Sequence, residues 1–268
     1  MEVQAWYLVL IWPIFYFVHL FFYKRKWYNL NFRGEKSTYS LGISLYFSVA
    51  LASTLAVISG MSLSALVYLT VVTLLGLFDD LYGSDVAKGV KGHVLYCLDH
   101  GTVTTGIVKL VGLPIAAFVY LFSRFEGQLN VAVLLALLNF TLFPHVVNLF
   151  DTRPLRSFKL FMIFLFIVIC FYIPDFSWFF VFVITLVIWA GLEMYERAML
   201  GDNGAALIGG GMGLLSLLVP FSVQIVFLLI AFLLTVAAER MSFHKIIEKR
   251  PFLQRIDQIG RRRVFQKH

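Results

Sequence analysis

The sequence predicts an all-α membrane protein, a polytopic bundle of about nine transmembrane helices whose polar residues gather on one face of the membrane. Hydrophobic residues make up 60% of the 268 positions and charged residues only 14%, whereas soluble domains contain about 25% charged residues. The apolar residues form runs of roughly 17–22 residues, the length at which a helix crosses a hydrocarbon core of about 30 Å. Basic residues collect at one set of run ends, as in loops on one side of a membrane.

The first half of the chain contains four predicted spans. The first span has Trp, Tyr and Phe at both ends, as helices do where they cross a membrane interface, and it is followed by Lys24. A polar loop leads to the second span, and a tight turn leads to the third, which ends in Asp79 and Asp80. The four spans are predicted at residues 5–23, 41–58, 63–78 and 106–122.

The second half is predicted to add five spans and a tail. Asn139, Pro144 and His145 interrupt the fifth span, which is more typical of a kink or of a hydrogen bond to a neighbouring helix than of a ligand groove. The chain thus divides into a transmembrane domain, residues 1–238, and a basic tail, residues 239–268, which is expected to bind anionic headgroups. The five spans are predicted at residues 131–150, 160–173, 178–192, 205–219 and 223–238.

The distribution of basic residues predicts the orientation of the chain. With this alternation of spans, the loops after the first, third, fifth and seventh spans lie on the same side as the tail. All 22 Lys and Arg residues fall on or beside that side except Arg124, so the positive-inside rule makes it cytoplasmic and places the N-terminus outside. The net charge of +7 therefore indicates contact with membrane lipids, and we expect no nucleic-acid partner because no basic or aromatic RNA-binding module is evident.

Polar residues recur where spans meet the cytoplasmic face. The adjacent carboxylates of Asp79 and Asp80, the pair Asn148 and Asp151, and Asp202 between glycines all occupy such positions. Alone, an Asp-Asp pair marks a helix end, and a Gly-Asp-Asn-Gly stretch is an ordinary loop. Together they indicate a site for a hard cation, because Mg²⁺ binds through one or two carboxylates and substrate phosphates.

Cations near the same junctions could bind phosphate. Lys88 and Lys91 follow the third span, and Arg153 and Arg156 follow the fifth; arginine is suited to bidentate contact with phosphate. For the two arginines the alternative is simple positive-inside anchoring. The helix that begins near Asp202 would also favour an anion at its positive N-terminal end. Glu193 and Glu196, one turn apart, are expected at a solvated helix end.

Four stretches of the sequence resemble one enzyme superfamily. They are Phe78-Asp79-Asp80, Lys88-Gly-x-x-Gly92-His93, Asn148-Leu149-Phe150-Asp151 and Met199-Leu200-Gly201-Asp202-Asn203-Gly204-Ala205. They are similar to the cytoplasmic signatures of the polyprenyl-phosphate N-acetylhexosamine-1-phosphate transferases, glycosyltransferase family 4. They occur in the same order along the chain and on the same predicted side of the membrane. This group includes phospho-N-acetylmuramoyl-pentapeptide transferase and the enzymes that start teichoic-acid and O-antigen synthesis. The resemblance extends over about residues 31–210, including the early loop 31–36.

The resemblance implies a Mg²⁺-dependent phosphoglycosyltransferase of a bacterial inner membrane, serving cell-wall or envelope glycan synthesis. A polyprenyl phosphate lipid carrier would attack the β-phosphate of a UDP-sugar and release UMP. Dimers occur in the family, so a homodimer is possible. The residues that match its motifs are Asp202 as the Mg²⁺ ligand, Asp79 and Asp80 as metal-binding or lipid-deprotonating catalytic groups, Asn148 and Asp151 as nucleotide-sugar contacts, and Lys88 as a phosphate contact. His93 could contact phosphate or hydrogen-bond within its loop.

Two departures from the family pattern keep alternatives open. Many members carry paired Asp-Gly after the Asn-Leu-x-Asp element, where this chain has Thr152 to Arg156, and many carry a histidine-rich loop and a tenth span that are not evident here. Arg153 and Arg156 could substitute by binding phosphate or a carboxylated sugar. One alternative is a non-catalytic relative that binds the carrier or a partner protein. A secondary transporter is disfavoured, because its ionisable residues would lie at mid-membrane within internal repeats.

Overall fold

The helices of this protein follow the apolar runs of its sequence. The computed structural model describes residues 2–31, 33–54, 61–83, 89–173 and 176–261. Within these ranges the chain forms α1 (Glu2–Lys24), β1 (Tyr28–Leu30), β2 (Lys36–Thr38), α2 (Ser40–Thr54), α3 (Leu63–Tyr82), α4 (Gly89–His100), α5 (Thr105–Arg124), α6 (Val131–Phe150), α7 (Arg156–Phe171), α8 (Phe176–Met194), α9 (Gly201–Ser216), α10 (Phe221–Arg240), α11 (Phe243–Lys249) and α12 (Pro251–Gln258).

Five of the described helices are long and apolar enough to cross a bilayer: α1, α3, α5, α6 and α10. Their best windows have mean hydropathies from 1.6 to 2.5. Two shorter apolar helices, Ser40–Thr54 and Phe179–Met194, accompany them. The chain is therefore a predominantly helical protein with membrane-type helices, as its composition predicts.

One helix and one β-hairpin occur where the sequence was expected to form loops. Helix α4 lies between α3 and α5, and β1 pairs antiparallel with β2 in the register Tyr28↔Thr38. The hairpin turn is fixed by Asn31, whose Oδ1 accepts hydrogen bonds from the backbone N–H groups of Arg33 (2.9 Å) and Glu35 (3.0 Å). An Asx turn of this kind replaces part of a backbone turn, so a short polar segment forms ordered structure without an apolar run.

Helix α9 lies at the centre of the bundle against α2, α3 and α6. Its contacts depend on small residues, because a side chain would separate the backbones. A Cβ atom at Gly209 would meet the backbone of Pro144 on α6, and one at Gly42 on α2 would meet the backbone of Gly204. On α3, a Cβ at Gly76 would lie 2.6 Å from the Cα of Asn203. The close approach brings the last turn of α3 onto the first turn of α9.

The described part of the tail folds back onto the bundle. Helix α10 continues to Arg240, two residues beyond the predicted boundary at 238, and α11 and α12 follow it. The ring of Phe243 on α11 stacks on Phe150 at the end of α6, with centroids 5.4 Å apart. The tail therefore contacts the loop between α6 and α7.

Candidate functional site

Two of the predicted carboxylates meet at one lysine. The Nζ atom of Lys109 on α5 donates to Asp202 Oδ1 on α9 and lies 3.4 Å from Asp79 Oδ2 on α3. The side chains of Lys109, Asp79 and Asp202 are 12%, 16% and 26% exposed. Three separate helices thus contribute one ion-paired cluster at the same end of the bundle. We call this the carboxylate end.

The neighbouring carboxylate of Asp80 binds the start of α9. Its Oδ1 accepts from the backbone N–H of Asp202 (2.9 Å), and its Oδ2 accepts from the backbone N–H of Asn203 (2.8 Å) and from Asn203 Nδ2 (2.6 Å). The first N–H groups of a helix have no partner within the helix, so Asp80 acts as an N-cap supplied by another helix. This contact also holds the Asp202 side chain beside Lys109.

The backbone around Gly201 makes this contact possible. Gly201 has a φ of +67°, and a Cβ there would lie 3.0 Å from the Asp80 oxygens. A residue with a side chain would be strained in this left-handed conformation and would also crowd the carboxylate. Asn203 Nδ2 donates to the Tyr39 carbonyl oxygen at 2.9 Å, which ties the start of α2 to the same turn.

Asp151 is a further predicted carboxylate, at the end of α6. It is the C-cap of α6, and its Oδ1 accepts from Ser157 Oγ at 3.3 Å. Burial raises the pKa of Asp151 well above its usual value, and the negative charges of Glu193 and Asp202 raise it further. The negative charges that raise its pKa belong to α8 and α9.

The prediction that Glu193 and Glu196 form a solvated helix end is wrong. They are only 4% and 9% exposed. Glu193 Oε2 accepts from the backbone N–H of Leu155 (2.7 Å), and Glu196 pairs with Arg33 (2.9 Å) and Asn31 (3.1 Å). Each carboxylate binds a loop distant in sequence, and these hydrogen bonds offset the cost of burial. Adjacent sequence gives no sign of either partner.

Arg156 is already engaged by the tail. Its Nε and Nη2 atoms donate to the two carboxylate oxygens of Asp257 at 2.7 and 2.9 Å, and its Nη1 donates to Thr152 Oγ1 at 2.7 Å. Arg156 is only 5% exposed. The bidentate geometry suits a guanidinium–carboxylate pair. A phosphate-binding role for Arg156 stays a prediction. In this structure the Nε and Nη2 donors of its guanidinium group are bound by Asp257.

Other basic groups continue this contact. Arg261 Nη2 lies 2.5 Å from Asp257 Oδ1, Lys159 Nζ donates to the carbonyl of Asp257 at 2.8 Å, and Arg153 contacts His244 at 3.2 Å. Burial alone would raise the pKa of Asp257, but the hydrogen bond from Arg156 and the charge of Arg261 outweigh it and lower the pKa below its usual value. The tail is therefore held by an ion-pair cluster around one buried aspartate.

The remaining predicted contacts are dispersed. His93 Nδ1 is 2.9 Å from Thr104 Oγ1, the N-cap of α5, and its ring lies against Gly106; this is the loop hydrogen bond that the sequence left open. Asn148 is half-buried in the last turn of α6. Lys88 lies outside the described residues, as does the side chain of Lys91, although its backbone belongs to α4.

Sequence reasoning missed Lys109. The available signal was a lysine inside the otherwise apolar run of α5, because an ionisable residue within a span marks a functional or paired position. Its closeness to one end of the span allowed it to be counted with the basic loops. Only the pairing of α5 with α3 and α9 reveals its partners.

The carboxylate pair is chemically suited to a cation. No cluster of three or more His, Cys, Asp or Glu ligands occurs within the described ranges. Asp79 and Asp202 nevertheless both face the Lys109 ammonium, and Mg²⁺ needs only one or two carboxylates when phosphates complete its shell. The two residues thus fit a magnesium ion, which would take the place of the ammonium. Asp80 fits less well, because α9 engages both its oxygens.

Comparison with known proteins places no further constraint on the site. No family model matches the chain, and no curated protein or solved structure matches it.

Proposed function

We propose that this protein is a Mg²⁺-dependent phosphoglycosyltransferase that moves a sugar-1-phosphate, of an N-acetylated amino sugar, from a UDP-sugar to a polyprenyl phosphate and releases UMP. The observation that carries the proposal is the convergence of Asp79, Asp202 and Lys109 at one end of an apolar bundle. Phosphoryl transfer depends mainly on positioning and charge neutralisation. A carboxylate pair and an ammonium at a membrane boundary can supply both.

Each residue of the cluster has a role in this proposal. Asp79 and Asp202 would hold the ion, which supplies positive charge to the phosphates. Lys109, with its three N–H donors, would then be free to bind a phosphate oxygen. Asp80 positions Asp202 by binding the first turn of α9. Asn148 and Asp151, at the end of α6, would orient the nucleotide sugar.

The proposal includes a topology. About nine spans, with the N-terminus outside and the carboxylate end facing the cytoplasm, would let a lipid carrier arrive from the bilayer and a nucleotide sugar from the cytosol. The charge bias of the loops supports this orientation. The sequence resemblance supports a bacterial inner membrane and a role in envelope glycan synthesis.

A second candidate is a non-catalytic protein that binds the polyprenyl carrier or a partner and regulates envelope synthesis. Two observations favour it. Lys109 is ion-paired with both Asp79 and Asp202, and Arg156 is ion-paired with Asp257. These cations are thus neutralised internally, and the region beside Asp151 departs from the family pattern.

One experiment separates the two candidates. Purified protein is incubated with undecaprenyl phosphate, Mg²⁺ and a panel of UDP-sugars, and UMP release is measured. The transferase predicts metal-dependent release that Asp202→Asn abolishes and that the exposed control Asp99→Asn leaves unchanged. Carrier binding without UMP release from any UDP-sugar would refute the transferase and favour the non-catalytic protein.

A further inference from the structure

A large apolar cavity opens at the end of the bundle opposite to the carboxylate end. Its volume is about 580 Å³, within the range of about 300–1,000 Å³ typical of small-molecule sites. Helices α2, α3, α5, α7, α8 and α9 contribute its walls. It reaches from Leu218, past the end of α9, to Leu207 in the interior, roughly 16 Å at 1.5 Å per residue. The cavity is thus elongated and runs along the helices.

The cavity is continuous with an unfilled face of α9. Gly211 lines it, and a Cβ atom built at Gly211 would have no other atom within 4 Å. The glycines on the other faces of α9, such as Gly209 and Gly213, are instead in tight contact with α6. Close packing therefore explains those glycines, whereas Gly211 leaves open space.

The wall of this cavity includes the basic residue that departs from the charge pattern. Arg124, at the end of α5, lines it together with Tyr120. With the predicted alternation of spans, all other Lys and Arg residues of the sequence are expected on or beside the opposite side. Arg124 is exposed and forms no ion pair with a carboxylate among the residues that the structure describes. Positive-inside anchoring does not account for a cation at this end.

We propose that the cavity binds a single-chain anionic amphiphile, a long-chain carboxylate of the fatty-acid type, with its alkyl chain along α9 and its carboxylate at Arg124. The elongated apolar volume fits one alkyl chain. One guanidinium complements a monoanionic carboxylate through two parallel hydrogen bonds, whereas a phosphate dianion would call for more cations. The site lies away from Asp79 and Asp202 and does not depend on the proposed transferase activity.

Fluorescence quenching tests the site directly. Trp189 lines the cavity and is only 1% exposed, so lipids surrounding the protein do not reach it. The full chain, in nanodiscs of zwitterionic lipid, carries Trp189 as its one tryptophan after substitution of Trp6, Trp12, Trp27 and Trp178 with phenylalanine. Dibromostearate is expected to quench Trp189 saturably, and dibromostearyl alcohol is expected to bind about tenfold more weakly because it lacks the charge-assisted hydrogen bonds.

Two variants separate the chain-binding and head-binding parts of the site. Gly211→Phe fills the cavity and should abolish saturable quenching by both probes. Gly191→Phe is its control, because Gly191 also has open space but does not line the cavity. Arg124→Gln should weaken dibromostearate binding about tenfold while leaving the alcohol unchanged.

Several results would overturn the proposal. They are non-saturable quenching in the parent chain, equal affinities for acid and alcohol, or a Gly211→Phe variant that binds like Gly191→Phe. If the tryptophan or Gly211→Phe substitutions prevent folding, radiolabelled oleate and oleyl alcohol are titrated against the unsubstituted chain and Arg124→Gln. Equal binding of oleate by those two proteins would refute the carboxylate site.

Discussion

Replacing Lys109 with methionine removes the cation shared by Asp79 and Asp202 while keeping a long apolar side chain in α5. The two carboxylates, no more than 26% exposed, would then face each other without a counterion. We expect the variant to be unstable in the absence of divalent cations and to regain stability when Mg²⁺ is added.

The size of both effects follows from the structure. At the 3.4 Å that separates Lys109 Nζ from Asp79 Oδ2, the attraction between unit charges is about 5 kcal/mol at an effective dielectric constant of about 20. Removal of one partner from a buried pair costs about 3–5 kcal/mol, and the residual exposure of Asp202 favours the lower figure. A divalent cation present at about 100 times its Kd would restore about 2.7 kcal/mol.

The free energy of unfolding is measured by chemical denaturation in mixed micelles, with EDTA or with Mg²⁺. The control is Lys249→Met, which removes one positive charge from an exposed position on α11. The reasoning is refuted if Lys109→Met loses no more stability than the control, or if Mg²⁺ stabilises all proteins equally. Mg²⁺ should also fail to rescue Lys109→Met combined with Asp202→Asn.

Four further perturbations follow from the remaining contacts. Asp80→Ala leaves N–H groups at the start of α9 without partners and should lower the free energy of unfolding by about 2–3 kcal/mol. The loss should be seen as faster amide exchange in the first turn of α9. Unchanged exchange there would contradict the capping role. Arg156→Gln leaves Asp257 without its bidentate partner, so limited proteolysis should cleave α11–α12 faster than in the parent chain. The folded-state pKa of Asp257 is lowered. The stability that Asp257 contributes to the fold is therefore present above its unfolded pKa of about 3.9 and is lost as the pH falls through its folded pKa. Tail cleavage that does not accelerate on acidification would contradict this. The folded-state pKa of Asp151 is raised, so its ionisation reduces stability as pH rises from the unfolded value through the folded value, and Asp151→Asn should raise the unfolding free energy at pH 7 more than at acidic pH.

The sequence predicted the long apolar helices because membrane helices are defined locally, by continuous apolar runs that need no knowledge of their neighbours. It did not predict α4, α11 or α12. The concentration of carboxylates at helix ends was also visible locally. The pairing of these carboxylates with basic residues was not visible locally. Lys109 and Asp202 are 93 residues apart, and Arg156 and Asp257 are 101 apart.

The same limit explains why Glu193 was misjudged. A carboxylate at a helix end normally remains in water. Here a hydrogen-bond partner distant in sequence offsets the free-energy cost of burying it. That partner, the backbone N–H of Leu155, lies 38 residues earlier. The hairpin of β1 and β2 likewise depends on a side chain, Asn31, and its contact with Glu196.

The contact between Asp80 and α9 has a consequence for biosynthesis. Asp80 leaves the ribosome 122 residues before Asp202. Throughout that interval its carboxylate lacks the N–H donors that it binds in the finished protein, whereas Asp79 can already pair with Lys109, only 30 residues later. The end of α3 would therefore stay hydrated at the membrane surface until α9 is inserted. The centre of the molecule is thus the part that assembles late, and a nascent chain stalled before residue 201 would expose Asp80 to solvent.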